Sequence, residues 1–387
     1  MKPIRNVAIA ALLVSLSTSA FAGDEDFVGR WGLEIEGNTD TFKSAWLRID
    51  KGEKGLTGSM VWKWGSVGRL QNVRVENGEL LLKRGKQPLR ARLLDGRLSG
   101  TFGKKKFTGR LIDEFRLVDG KWAIKKFGNE SGGWIKFQTK EGKTQGEGED
   151  KDGNGYVLEN VTVKGRNVAF VAKPKDGGEL RVEVEFQVNG FRAEGEASAV
   201  GENESVQVEF ERHVEWGKPL DLLAKGIEGF EGRVPNKFRW SVQDGILKNG
   251  KKDGDIVSRA KFGDFKLELE YKVDKGSNSG IYLRGRYELQ ILGDKARKPH
   301  GNMAVYSRLS PKVNPLNDFD QWQKLEVTMI GRYVNVTLNG TVVHKEQYLE
   351  GLTGGAIDPW EDKPGPLLLQ GDHGPIQFRN IKVTPAK

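Results

Sequence analysis

The chain has no cysteine among its 387 residues. Thiolate catalysis, zinc–cysteine sites and iron–sulfur clusters are therefore excluded, because each needs a cysteine sulfur. Disulfides are excluded too, so packed apolar cores must hold the fold. Histidine is nearly as scarce: His213, His300, His344 and His373 are the only four. Any imidazole acid–base chemistry has to use one of them. No apolar run reaches the ~20 residues that a membrane-spanning helix needs. No phosphate loop or dinucleotide fingerprint is present, so a redox cofactor is not indicated. Helical periodicity is almost missing as well; only Leu220 to Ala224 hints at a short helical turn.

What is abundant is glycine. Fifty-one glycines punctuate many short alternating segments, the pattern of an all-β chain. The formal charge is +9, with acids and bases interspersed, which reads as a solvated surface rather than a nucleic-acid footprint. Lys2 and Arg5 open the chain, Val7 to Leu16 is a short apolar run, and Ala20-Phe21-Ala22 is an A-x-A cleavage signal. Residues 1–22 therefore read as a signal peptide, and the mature protein as periplasmic or secreted.

The following half carries an internal repeat. Trp46-Leu47-Arg48-Ile49 aligns with Trp134-Ile135-Lys136-Phe137, Gly58 with Gly146, and Leu70 to Val75 with Leu158 to Val163. Each pair stands 88 residues apart (46 to 134, 58 to 146, 70 to 158). The repeats span 23–115 and 116–214, each reading as roughly eight short strands in a barrel or sandwich. Trp46 and Trp134, at equivalent positions, read as core. Trp62 and Trp64 lie on an unmatched stretch and are the better candidates for an exposed sugar-stacking platform. His213 to Pro219 reads as a linker, and 217–387 as a third domain. Within that domain Asn339-Gly340 is a type I′ turn signal.

Asn278-Ser279-Gly280-Ile281-Tyr282-Leu283-Arg284 and Tyr287-Glu288-Leu289-Gln290 read as two strands around a tight turn. Ile281, Leu283, Leu289 and Ile291 share one face; Tyr282, Arg284, Glu288 and Gln290 share the other. A three-residue turn at Gly285–Tyr287 would set Leu283 opposite Leu289 and Arg284 opposite Glu288. Glu288 is then the first candidate for a catalytic or metal-binding carboxylate, kept ionised by Arg284. A purely structural ion pair would use the same two residues. Asn278, Ser279, Tyr282 and Gln290 are candidates for binding sugar hydroxyls. Asp358 to Asp362 reads as a solvated acidic loop or a lid.

This hairpin resembles the signature of the 3-keto-disaccharide hydrolase family, also described as 3-keto-glucoside 1,2-lyase/3-keto-2-hydroxy-glucal hydratase. Leu367-Leu368-Leu369-Gln370-Gly371-Asp372-His373-Gly374 resembles a second family element, and Phe378-Arg379-Asn380-Ile381 a third. The resemblance covers about 217–387. It implies a concanavalin-like jelly-roll β-sandwich that acts on oxidised sugars. It also raises His373 to a catalytic candidate, with Asp372 orienting it and Gln370 beside the cleft. No cofactor is called for with certainty; a divalent cation on Glu288, Asp372 and His373 is left open by these residue types. The implied substrate is an oxidised saccharide, and the implied pathway partner is a sugar 3-dehydrogenase that makes the ketone. The competing class is a non-catalytic, lectin-like protein on the same scaffold.

N-terminal sequencing of the exported protein should start at Gly23. An intact Met1 on soluble cytoplasmic protein would refute the leader reading.

Overall fold

The computed structural model describes residues 21–37, 44–112, 117–140, 143–250, 253–294 and 300–387. Of the expected signal peptide at 1–22, residues 1–20 lie outside them. The regular structure described is nearly all strand, in three units that follow one another along the chain.

The first unit is a nine-stranded meander from Gly29–Ile35 to Lys105–Leu111. It curls until the first strand meets the last, with Trp31 opposite Leu111. Strands Trp64–Arg69 and Gln71–Glu76 form its two edges. The second unit is a closed barrel of eight strands, Gly120–Phe127 to Ser205–His213. Alternation explains the closure. Along Val182–Asn189, Val184, Phe186 and Val188 are buried while Glu183, Glu185 and Gln187 face water. The eight strands expected of each unit are found in the second. In the first, the stretch matching the single strand Gly155–Lys164 breaks at Leu70 into two, which gives nine. Asn72 and Asn160, 88 positions apart, both adopt left-handed backbone (φ 53° and 55°) at β-bulges. Trp31 and Trp122 each donate the indole N–H to the carbonyl four residues earlier, at 2.9 and 2.8 Å.

The third unit is the expected β-sandwich. Five strands, Phe230–Gly232, Ile256–Phe262, Gly365–Leu369, Asn278–Leu283 and Tyr287–Leu292, form one sheet in that order. In the other sheet the last strand, Ile376–Pro385, lies between Ile246–Lys248 and Phe265–Val273. Leu267, Leu269, Ile281, Leu289 and Leu369 are among the residues packed between the sheets. Leu220–Asp221 is not helical; it is a short strand bonded to Val383 and Lys382, and the helical turn falls later, at Gly226–Gly229. Asn339 and Gly340 (φ 50° and 75°) make the expected turn.

The units are packed against each other. An irregular strap, residues 349–364, runs between the first unit and the sandwich. Trp46 is buried, yet outside its own unit's core: it packs on Leu352 and Ala356 of the strap, with the Arg308 guanidinium 4.2 Å from its ring. The acids at 358–362 are tied down by neighbouring arginines and a phenol rather than left freely solvated. Asp358 takes two bonds from Arg286, at 2.8 and 2.9 Å. Asp362 pairs with Arg110 of the first unit. Glu361 is buried 3.7 Å from Arg30, itself only 1% exposed, and accepts the Tyr287 hydroxyl at 2.6 Å. On another side, the second barrel shares its core with Tyr333, and Phe191 N–H donates to Glu346 at 3.1 Å. The linker is pinned as well, Gly217 N–H donating to Pro385 at 2.7 Å.

Trp46→Ala removes a fully packed indole from between two units. It should cost about 3–5 kcal/mol in denaturant unfolding. A loss below about 1 kcal/mol would mean the strap can close over the gap without that packing.

Candidate active site

The hairpin strands pair Leu283 with Tyr287, Tyr282 with Glu288 and Gly280 with Gln290. The turn is therefore Arg284–Arg286, and the pairing is two residues away from the one expected. An even shift preserves which side chains share a face, so the polar face survives. The shift arises because Arg284 and Gly285 both take left-handed backbone (φ 53° and 68°). Tyr287 then joins the strand with its ring buried.

This turn takes Arg284 away from Glu288. Its Nε donates to Gly263 O at 2.7 Å and Nη2 to Asp264 Oδ1 at 2.8 Å. The expected Arg284–Glu288 pair does not form, and Arg284 holds the turn instead of serving catalysis. Ser279 is also structural. It is fully buried, and its hydroxyl donates to Gln370 O at 2.8 Å, tying neighbouring strands together. It is therefore not placed to bind sugar.

Glu288 sits at the centre, 4% exposed. The Tyr282 hydroxyl lies 3.0 Å from its Oε2 and 3.1 Å from Gly354 O, and donates to one of them at a time. With the Gln290 amide nitrogen turned inward, it donates to Glu288 Oε1 at 3.1 Å and to Ser279 O at 2.8 Å. Gly280 makes the room: a Cβ there would stand 2.7 Å from Oε1. Burial pushes the Glu288 carboxyl from 4.5 up to about 8, against the opposing pull of the Tyr282 hydrogen bond and of His373. Burial, and then Glu288, raise Tyr282 well above its ordinary value, so it stays a phenol.

His373 and Asp372 lie at the exposed side of the same site. Nδ1 of His373 bonds to Asp372, and that bond raises the imidazole above 6.5 against partial burial. Asp255 and Glu288 raise it further, so the three groups share one field. Gln370 Oε1 is buried with no hydrogen-bond partner among the described residues. Asn278 is half-buried at the start of its strand. Among the described residues no group of three or more His, Cys, Asp or Glu could hold a metal ion. Glu288, Asp372 and His373 do not form such a set.

Three site residues escaped the sequence reading. Asp255, raised by burial, lies 3.4 Å from Arg233 and accepts Gly371 N–H at 3.1 Å. Arg233 Nη1 donates to Gly355 O at 2.6 Å. Both residues, with Asp372, line a cavity of about 440 Å³. Thr353 Oγ1 accepts the Glu288 N–H at 2.9 Å and donates to Arg286 O at 3.1 Å. The only local signal was an acid, Asp255, placed directly before an apolar strand. Two other histidines have different surroundings. His344 is buried against Met303 O, and burial lowers its pKa. His300 bonds to Ser66 at 2.9 Å and packs edge-on to Tyr306 at 4.7 Å.

Residues 218–384 match the family model described as the 3-keto-alpha-glucoside-1,2-lyase-like domain. A 3-keto-disaccharide hydrolase of Bacteroides thetaiotaomicron is 41% identical over 71 residues, 15% of this chain. The match spans only 24% of that relative's length. A putative glycosyl hydrolase structure from Parabacteroides distasonis is 27% identical, covering 43% of this chain and 82% of that one at a TM-score of 0.37. Another from that organism is 23% identical, covering 44% and 100% at a TM-score of 0.36.

The raised Glu288 pKa has a thermodynamic signature. Folded Glu288 titrates at about 8 and an unfolded glutamate near 4.5. The folded state therefore holds the extra proton between those values. Its stabilising contribution is full below the lower value and is lost as pH rises through the upper one. Glu288→Gln cannot ionise, so its melting temperature should gain on wild type between about pH 5 and pH 9. A constant difference across that range would show that Glu288 is not shifted.

Proposed function

We propose, from the match of residues 218–384 to the 3-keto-alpha-glucoside-1,2-lyase-like domain model, that this chain is a carbohydrate-active enzyme cleaving 3-keto-glycosides, 3-keto-disaccharides among them. The observation that carries the reading is the buried Glu288 with Tyr282, sharing a field with the His373–Asp372 pair. A ketone at C3 acidifies the C2 proton. A base removes that proton, negative charge builds on O3, and the group at C1 leaves with a proton from an acid. Water adding afterwards gives the hydrolysis product. The chemistry needs a base, a donor towards O3 and an acid, not the paired carboxylates of ordinary glycosidases.

Glu288 is the base. A pKa of about 8 leaves a minority ionised at neutral pH and makes that minority a strong proton acceptor. Tyr282, permanently protonated, orients the carboxyl. His373, whose cationic form Asp372 favours, is the acid for the leaving oxygen. Gln290 and Gln370 hold sugar hydroxyls, and the unpartnered Gln370 Oε1 fits that task. Hydrolase, lyase and hydratase outcomes share this first step. A lectin-like role would need amides and aromatics, with no reason to bury a carboxyl at a cost in stability. The ketone would come from a separate sugar 3-dehydrogenase. The leader supports export, and the two N-terminal units, with left-handed asparagines at matching bulges, read as copies of one design.

Glu288→Gln and His373→Ala should each lower turnover of a 3-keto-glucoside by ~100-fold or more while remaining folded. Wild-type kcat/KM should be bell-shaped in pH, rising as Glu288 ionises and falling as His373 loses its proton. Deuterium should enter C2 during turnover in heavy water. Equal rates on unoxidised parent glycosides would sink the elimination route.

A further inference from the structure

The turn joining strands Gly55–Trp62 and Trp64–Arg69 belongs to the first unit, yet it sits against the active site. Two chains of contacts lead from it to Glu288. On one side, Lys63 O accepts the Gly355 N–H at 2.6 Å, and the neighbouring Gly354 O lies 3.1 Å from the Tyr282 hydroxyl that serves Glu288. On the other, Ser66 Oγ lies 2.9 Å from His300 Nε2, and His300 packs on Tyr306. The Tyr306 N–H in turn donates to Glu288 O at 3.0 Å. The contacts close a ring that runs from Glu288 through Trp64 and Gly65 and back.

The Trp64 indole carries Lys63 Nζ 6.0 Å from its ring centroid. The tethers use the backbone of Lys63 and the hydroxyl of Ser66, and Val67 N–H adds a third, to Ser307 Oγ at 3.1 Å. Trp64 is nonetheless 52% exposed there, and a Cβ on Gly65 would meet nothing within 4 Å. A large exposed indole on a rigidly tethered turn beside open space is a stacking surface. The Arg233–Asp255–Asp372 side of the site is polar and charged, suited to the keto sugar. The turn, with Trp64, His300 and Tyr306, is aromatic.

We propose that this turn is the leaving-group subsite, where Trp64 stacks on the ring attached at C1, an aryl group or a second sugar. The N-terminal unit thereby sets substrate choice. The inference rests on the proposed cleavage only for the identity of that ring.

The test compares 4-nitrophenyl and methyl 3-keto-glucosides with the full-length protein. Wild type should favour the aryl probe in kcat/KM and, with Glu288→Gln, in calorimetric binding. Trp64→Ala should raise KM for the aryl probe about 3- to 10-fold, the scale of one aromatic contact. It should leave kcat and the methyl probe unchanged, and Trp64→Phe should restore most of the loss. A half-exposed side chain should leave the melting temperature nearly unmoved, which separates stacking from a structural role. No aryl preference in wild type, or an unchanged preference in Trp64→Ala, overturns the subsite. Aryl-selective binding that depends on Trp64 without turnover keeps the subsite and sinks only the proposed reaction.

Discussion

Glu288 keeps its proton near neutral pH because water is shut out around its carboxyl, and much of the C-terminal domain serves that closure. Gly280 surrenders a side chain so that the carboxyl fits. Tyr282 and Gln290 give it donors that remain neutral. Thr353 fixes the backbone beneath it, and the strap that bears Thr353 forms the wall above. Desolvation outweighs these hydrogen bonds, so the carboxyl is raised rather than lowered. Opening the wall would return it to the acidity of an ordinary glutamate.

The wall has no regular structure of its own and is held by charge. Arg30 and Arg110 of the first unit and Arg286 of the hairpin each meet one of its acids. Of these pairs Arg30–Glu361 is fully buried; such a pair adds little net stability, but removing one partner strands the other at a cost of about 3–5 kcal/mol. Such pairs therefore specify position more than they strengthen the fold. They fix the strap between two units and so give the first unit a share in the geometry around Glu288.

Much of this was legible in the sequence, and the failures have a common form. Period-two alternation in Ile281 to Gln290 revealed the polar face, and a pairing error of two residues left that face intact. The same error mattered for Arg284, because its true partner, Asp264, lies on a different strand connection and carries no local mark. Asp255, Arg233 and Thr353 escaped because their neighbours are distant in sequence; Asp255 meets Gly371, 116 positions on. The tryptophan pattern marked Trp46 as core but was silent on which unit's core it would join. Patterns within a strand report its faces, whereas contacts between units leave no period to read.

The position of the final strand has a consequence in time. The second barrel pairs almost entirely with sequence neighbours, so it can form as the chain is made. The sandwich cannot, because Ile376–Pro385 must insert between strands made much earlier. A nascent chain halted short of that insertion would carry a folded barrel and a Glu288 still in water, with the acidity of any surface glutamate. The shift in Glu288 acidity would then arrive only with that strand, making it a late product of chain assembly.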